Sequence, residues 1–203
     1  MKLHWSPRSP FVRKVMVAAH ELGLADRIET VRSTADMARP NPVIMVDNPL
    51  SKIPTLVLDD GTPLADSTVI VEYLDAMAGS RLIPAAGRDR WIALSRHALA
   101  NGFLDLLVLW RNERAKPGEQ ISVAWCDAFR VKATAALDRF EAMAAELATG
   151  PCDIAQIGAG CALSYLDFRF EDVRWRSGRS ALAAWHADFA KRPSMVATEI
   201  RDD

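Results

Sequence analysis

Two serine–proline pairs, Ser6-Pro7 and Ser9-Pro10, stand close together in the stretch "HWSPRSPFVRKVM". Proline suits the first position of a helix, where its missing N–H costs nothing. Serine suits the cap position before it. The same arrangement can aim a hydroxyl donor and the positive end of a helix at a ligand. A later pair, Asp66-Ser67, opens the run "DSTVIVEYLDAMAG" and supplies its cap. The three cysteines, Cys126, Cys152 and Cys161, form no CxxC, and with the four histidines they make no zinc spacing. An odd number fits a reducing compartment better than a disulfide framework. Cys126 and Cys161 are expected in the core, and Cys152, after Pro151, in a more exposed loop.

Short elements must position these residues. "KLHW" fits a strand. "PFVRKVMVAAHELG" carries Val12, Val15, Met16, Ala19 and Leu22 on one helical face, with Gly23 placed to end it. "RIETVR" alternates and reads as a second strand. "STADMARPNPVIMVDNPLSK" reads as irregular. "IPTLVLDDGTPLA" reads as a hairpin turning at Asp60-Gly61, and a helix capped by Asp66 or Ser67 follows, ending at Gly79. Strand–helix–strand–hairpin–helix predicts an α/β domain over residues 1–79. Beyond "SRLIPAAGRDR" nothing resembles a strand. Residues 89–116 carry an apolar stripe of Trp91, Leu94, Ala98, Leu99, Phe103, Leu106, Leu107 and Trp110. Further helical runs cover 119–149, 153–170 and about 178–191. Asp153 and Gln156 match a D-x-x-Q capping box, read here as structural. Residues 89–203 are therefore expected to form an all-α helical bundle.

Half of the 203 residues are hydrophobic, enough for full cores without metals or disulfides. The net charge of −1 argues against nucleic acid or anionic membranes as partners. No apolar run approaches the roughly 20 residues of a bilayer span, and "MKLHWSPRSP" lacks a signal peptide's apolar region. A soluble, cytoplasmic protein is expected.

Three segments, "SPFVRK", "NPLSKIPTLVLDDG" and "LADSTVIVEYL", in this order and spacing, resemble the glutathione transferase family over essentially the whole chain. The likeness is to members of bacteria and plants whose first helix opens with Ser-Pro-Phe or Cys-Pro-Phe. "ANGFLDL" and "CALSYLDFR" are similar to bacterial segments. The resemblance implies a thioredoxin-like N-terminal domain, a helical C-terminal domain and a homodimer.

It also implies site residues. Ser9, followed by Pro10 and Phe11, would hydrogen-bond the sulfur of glutathione. A free thiol with a pKa of about 8.5 is only slightly ionised near neutrality, and a hydroxyl at a helix N-terminus would stabilise its anion. Ser6 is the rival hydroxyl. Pro54 would be cis, with Ile53 offering its backbone to the cysteinyl part of glutathione like an added strand. Lys52 would sit near the glycine carboxylate. Ser67 and its helix N-terminus would suit the γ-glutamyl carboxylate, and Asp66 the ammonium. Each of these residues also has a purely structural reading as a cap, an edge residue or a solvated charge.

The electrophile pocket, by the same resemblance, would lie between the domains and draw on Trp5, Pro7, Phe103, Leu107 and Trp110. Those apolar residues would serve equally as core. Where bacterial members often have aspartate, this chain has Asn101. No cysteine lies near Ser9 and no tyrosine in the first strand region, so cysteine-type and tyrosine-type chemistries are not expected. The expected function is metal-free conjugation of glutathione, as co-substrate, to a small apolar electrophile, in detoxification or catabolism. The alternatives are a catalytically weak binding or regulatory relative and a glutathione-dependent isomerase or peroxidase.

Overall fold

The computed structural model of the chain describes residues 1–202. It divides into two compact units, Met1–Arg90 together with the chain from Pro193 onward, and Trp91–Arg192.

In the first unit the elements are β1 (Lys2–Trp5), α1 (Pro10–Glu21), β2 (Glu29–Arg32), α2 (Pro42–Met45), β3 (Thr55–Val57), β4 (Pro63–Leu64) and α3 (Ser67–Met77). The sheet order is β2-β1-β3-β4. β1 runs parallel to β2, as a helical crossover requires, and antiparallel to β3. β3 and β4 form the hairpin expected at Asp60-Gly61, with Gly61 at φ 88. Only glycine adopts that left-handed conformation without steric cost. Val12, Val15, Ala18 and Ala19 of α1 and Ile70, Val71 and Leu74 of α3 are fully buried with Leu3 and Leu56 of the sheet. One turn of helix, α2, interrupts the segment expected to be irregular. Asn41 caps it, accepting the Val43 N–H at 3.0 Å, and Pro42 opens it.

The loop after α3 is tied down by Asp75, only 2% exposed, whose carboxylate accepts the N–H groups of Arg81, Leu82 and Ile83 at 2.7, 2.7 and 3.0 Å. The unit is completed from the far end of the chain by α9 (Pro193–Ala197), which no periodicity announces.

The second unit is helical. α4 (Gly87–Arg114), which starts in the first unit, α5 (Val123–Ala142), α6 (Ala144–Leu147), α7 (Ile154–Arg169) and α8 (Ser180–Phe189) build it. The stripe expected on α4 is out of phase in its first half. Trp91 is 69% exposed and Ala98 is exposed, whereas Ala93, His97, Ala100 and Leu104 are buried. Apolar residues occur all round this helix, so spacing alone does not select the inward face. By length and composition alone α4 could cross a membrane, with mean hydropathy 1.3 over its most apolar 18-residue stretch. Its buried side chains form part of the helical core.

The capping box at α7 is present. Asp153 accepts the Gln156 N–H at 2.8 Å, and the Gln156 side chain accepts the Asp153 N–H at 3.0 Å. Burial raises the Asp153 carboxyl above its usual pKa, against the lowering effect of the Gln156 and Ala155 N–H groups. No disulfide joins the cysteines. Cys161 is buried, but Cys126 is half-buried like Cys152, because the first turns of α5 lie at the surface beside exposed Val123 and Trp125.

Candidate functional site

Strand direction decides which residues meet. In the antiparallel β1–β3 pair His4 lies opposite Thr55, so the loop leaving β1 and the residues entering β3 share one end of the sheet. In the β3–β4 pair Leu56 lies opposite Leu64, which brings the chain leaving β4 to that same end. Ser9, the Lys52-Ile53-Pro54 segment and Asp66-Ser67 follow directly from these three strand ends. Residues more than fifty positions apart in sequence are thereby gathered into one small region.

Ser9 is the N-cap of α1. Its Oγ accepts the Val12 N–H at 3.3 Å, and the Ser9 carbonyl accepts the Arg13 N–H at 2.9 Å. The cap uses the hydroxyl as acceptor, so its O–H remains a donor. Ser9 is half-buried, as is Phe11 one residue beyond Pro10. Ser6 is 7% exposed and lies one turn earlier, its carbonyl accepting the Ser9 N–H at 3.2 Å.

The Ile53–Pro54 bond is cis. The segment before it is held by residues that sequence reasoning passed over. Asn48 is buried and donates to the Lys52 carbonyl at 3.3 Å and to Thr55 Oγ1 at 2.9 Å, while Thr55 Oγ1 also donates to the Lys52 carbonyl at 2.9 Å. Ser51, at φ 52, accepts the Asn41 N–H at 2.8 Å. The signal was the density of Asn, Ser and Pro between Asp47 and Pro54, typical of a tight hydrogen-bonded turn. Lys52 itself is exposed and Ile53 half-buried.

Buried His4 of β1 bridges Ser33 Oγ and Asp47 Oδ2, both at 2.8 Å. His4 with Ser33 and Asp47, the Ser33 N–H with the Trp5 carbonyl, and Asn41 with Ser51 therefore tie the 33–47 segment to the body of the unit. None of these was foreseen.

Asp66 caps α3 by accepting the Thr68 N–H at 2.9 Å and is otherwise exposed. Ser67 is 1% exposed, and its Oγ has no hydrogen-bond partner among the described residues. A buried hydroxyl left unsatisfied at a helix N-terminus is costly. Here it adjoins the first-turn N–H groups, which lack intrahelical partners. An anion seated there would satisfy both.

The apolar residues named for an electrophile pocket divide. Trp5 and Pro7 belong to the first unit, Trp5 half-buried and Pro7 buried. Phe103, Leu107 and Trp110 are 2%, 0% and 1% exposed. Phe103 packs on Phe140 at 5.8 Å between ring centroids, and Trp110 lies 4.9 Å from Phe170 and 6.4 Å from Phe129. The structure gives these three to the helical core, where large apolar side chains bury the most surface. Asn101 is half-buried on α4. Among the described residues no group of three or more His, Cys, Asp or Glu side chains is arranged to hold a metal ion.

Comparison with known proteins agrees with this architecture. Residues 8–77 match the family model for the glutathione S-transferase N-terminal domain, and residues 123–188 that for the C-terminal domain. An uncharacterized GST-like protein, YibF, of Escherichia coli K12 is 32% identical, the match covering 98% of each chain. The fold superposes with a TM-score of 0.95 on a glutathione transferase family member from Pseudomonas fluorescens Pf-5 with bound glutathione, at 45% identity over 99% of each chain. Another structure from that organism, with bound S-(propanoic acid)-glutathione, gives a TM-score of 0.89 at 44% identity over the whole of both chains.

Proposed function

The chain belongs to the glutathione S-transferase family, and on that premise we propose that it binds glutathione at the shared end of the sheet and conjugates it, through its sulfur, to a small apolar electrophile. The observation that carries this reading is the buried Ser67 hydroxyl at the start of α3, without a hydrogen-bond partner among the described residues. It suits the γ-glutamyl carboxylate, and exposed Asp66 suits the neighbouring ammonium. Ile53, just ahead of β3, would offer its backbone to the cysteinyl amide, braced by the Asn48–Thr55 hydrogen bond behind it. Lys52 faces solvent where a glycine carboxylate would be met. Phe11 follows the capping turn that aims Ser9.

In the chemical step the Ser9 O–H donates to the glutathione thiolate, and the N-terminal dipole of α1 adds to its stabilisation. The thiolate sulfur attacks the electrophilic carbon. A C–S bond forms while the leaving group departs with its electron pair, or, in an addition, the adjacent carbon takes up a proton. The S-(propanoic acid)-glutathione held by the Pseudomonas relative supports a site that accepts a sulfur-linked substituent. Trp5 and Pro7 would offer apolar contact to it.

Calorimetry tests the binding half. Ser67→Ala is expected to weaken glutathione by about tenfold to hundredfold, the worth of one hydrogen bond to a charged group. An unchanged Kd would remove Ser67 from the site.

The same reading includes a homodimer and a role in detoxification within the cytoplasm. Met37, Val43, Val46 and Leu50 are 63–83% exposed around α2, an apolar cluster that suits a subunit interface. Sedimentation equilibrium is expected to return twice the 22.4 kDa chain mass, and a monomer at micromolar concentration would discard the dimer.

A further inference from the structure

A cavity of about 280 Å³ lies in the first unit, apart from the residues assigned to glutathione. Trp5, Ser6, Arg13, Met16, His20 and Arg201 line it, whereas Ser9, Ile53, Asp66 and Ser67 do not. The C-terminal segment forms one wall. Arg13 Nη2 donates to the Met195 carbonyl at 3.1 Å, and Ser194 Oγ donates to Glu21 Oε1, which fixes α9 along α1. At the other end the Arg201 N–H reaches the Pro7 carbonyl at 3.4 Å. The chain thus crosses from the end of α1 back to its beginning, and the cavity lies beneath the crossing, open to solvent on one side.

Its interior is prepared for an anion. Arg13 is 8% exposed, and its Nε has no hydrogen-bond partner among the described residues. A buried guanidinium N–H left unpaired is unfavourable. Ser6 is 7% exposed, and its Oγ accepts a long bond of 3.4 Å from the Arg8 N–H, which leaves the hydroxyl proton to donate elsewhere. Arg201 and His20 add positive charge or donors at the exposed side, against Glu199, the one carboxylate in the described lining. Trp5 and Met16 supply apolar wall. A volume just below the usual range for ligand pockets suits a molecule of about ten heavy atoms.

We propose that this cavity is a second ligand site, for a small carboxylate with an apolar body. The carboxylate would be held by Arg13 Nε and the Ser6 hydroxyl, and the body would lie against Trp5 and Met16. A guanidinium prefers this partner because carboxylate geometry and charge match it together. Ser6 lies on the same loop as Ser9, but none of the residues assigned to glutathione itself lines the cavity, so its occupancy should be independent of glutathione.

The probe is sodium benzoate, titrated by calorimetry into the full chain with and without saturating glutathione. Benzamide, of the same shape without charge, is the control. Benzoate is expected to bind with a Kd of about 0.1–1 mM, typical of so small a ligand. Benzamide should bind at least about tenfold more weakly. Glutathione, which carries no substituent to reach Trp5 or Pro7, should leave the benzoate affinity within about twofold. Arg13→Gln should weaken benzoate more than about tenfold and Ser6→Ala about fivefold. Arg13 also anchors the C-terminal segment, so if Arg13→Gln fails to fold, Ser6→Ala and the benzamide comparison decide. No benzoate binding at about 10 mM, displacement by glutathione, equal affinity for benzamide, or full affinity in Ser6→Ala would each overturn the proposal.

Discussion

Ser9→Ala is expected to lower kcat/KM for conjugation of 1-chloro-2,4-dinitrobenzene by about a hundredfold, while the Kd for glutathione stays within a few-fold. One preorganised hydrogen-bond donor to a developing or resident anion is worth about 10²–10³ in rate. Ser9 accepts the Val12 N–H and has its own proton left to give, so the lost interaction is with the thiolate rather than with the helix. A pH titration of thiolate absorbance in the binary complex should show the glutathione thiol pKa rising in the variant toward its value of about 8.5 in water. The substitution also removes a cap worth about 1 kcal/mol, which must be separated from catalysis. Ser9→Asp does so. An aspartate keeps an acceptor for Val12 and favours the helix N-terminus, but it has no proton to donate at neutral pH and repels a thiolate. It should retain native stability and still lose turnover. Undiminished turnover in Ser9→Ala would reduce Ser9 to a helix cap and turn attention to Ser6.

The largest stability effect should come from a residue far from any chemistry. Asp75→Ala is expected to destabilise the first unit by about 3–5 kcal/mol. Three backbone N–H groups converge on this carboxylate, and two of them belong to Leu82 and Ile83, which are 3% and 2% exposed. Each buried N–H left unsatisfied costs about 1–3 kcal/mol. Water can replace Asp75 only for exposed Arg81. Near the C-terminus of α3 the helix dipole disfavours a negative charge, so the three hydrogen bonds are what justify the carboxylate there. In a chain of this size each kcal/mol lowers Tm by about 2–4 °C, so thermal unfolding should begin about 10 °C earlier. Asp75→Asn keeps one acceptor oxygen and should fall between. A loss below about 1 kcal/mol would mean that the 79–83 loop rearranges to satisfy its own N–H groups.

Legibility in the sequence tracked the range of the interaction. The Ser9 and Asp153 caps, the Asp60-Gly61 turn and the breaks at Gly23 and Gly79 were all readable, because each is decided within a few residues. The family was readable for a related reason, since three local motifs in fixed order carry it. The inward face of α4 was not readable. Trp91 and Ala100 are both apolar, and only the neighbouring helices decide that the first faces water and the second lies against Gly158, where an added Cβ would stand 2.9 Å from Ala100 Cβ. The same holds for Phe103, Leu107 and Trp110, whose chemistry suits a pocket or a core equally.

What the sequence determined by itself is therefore the family, the order of the strands and longer helices, and the residue types at the helix starts. Its local signals of capping, turn formation and periodicity depend on neighbours in the chain. The tertiary structure alone decided that Ser67 keeps a buried hydroxyl unpaired, and that Asn48 and Thr55 brace the Ile53 backbone. It also decided that the chain beyond Pro193 returns to α1 and walls a cavity shared by Arg13 and Ser6. The last two join partners that no short-range pattern couples. Their hydrogen bonds form only once burial of Leu3, Leu56, Ile70 and Leu74 has fixed the strands and helices in register.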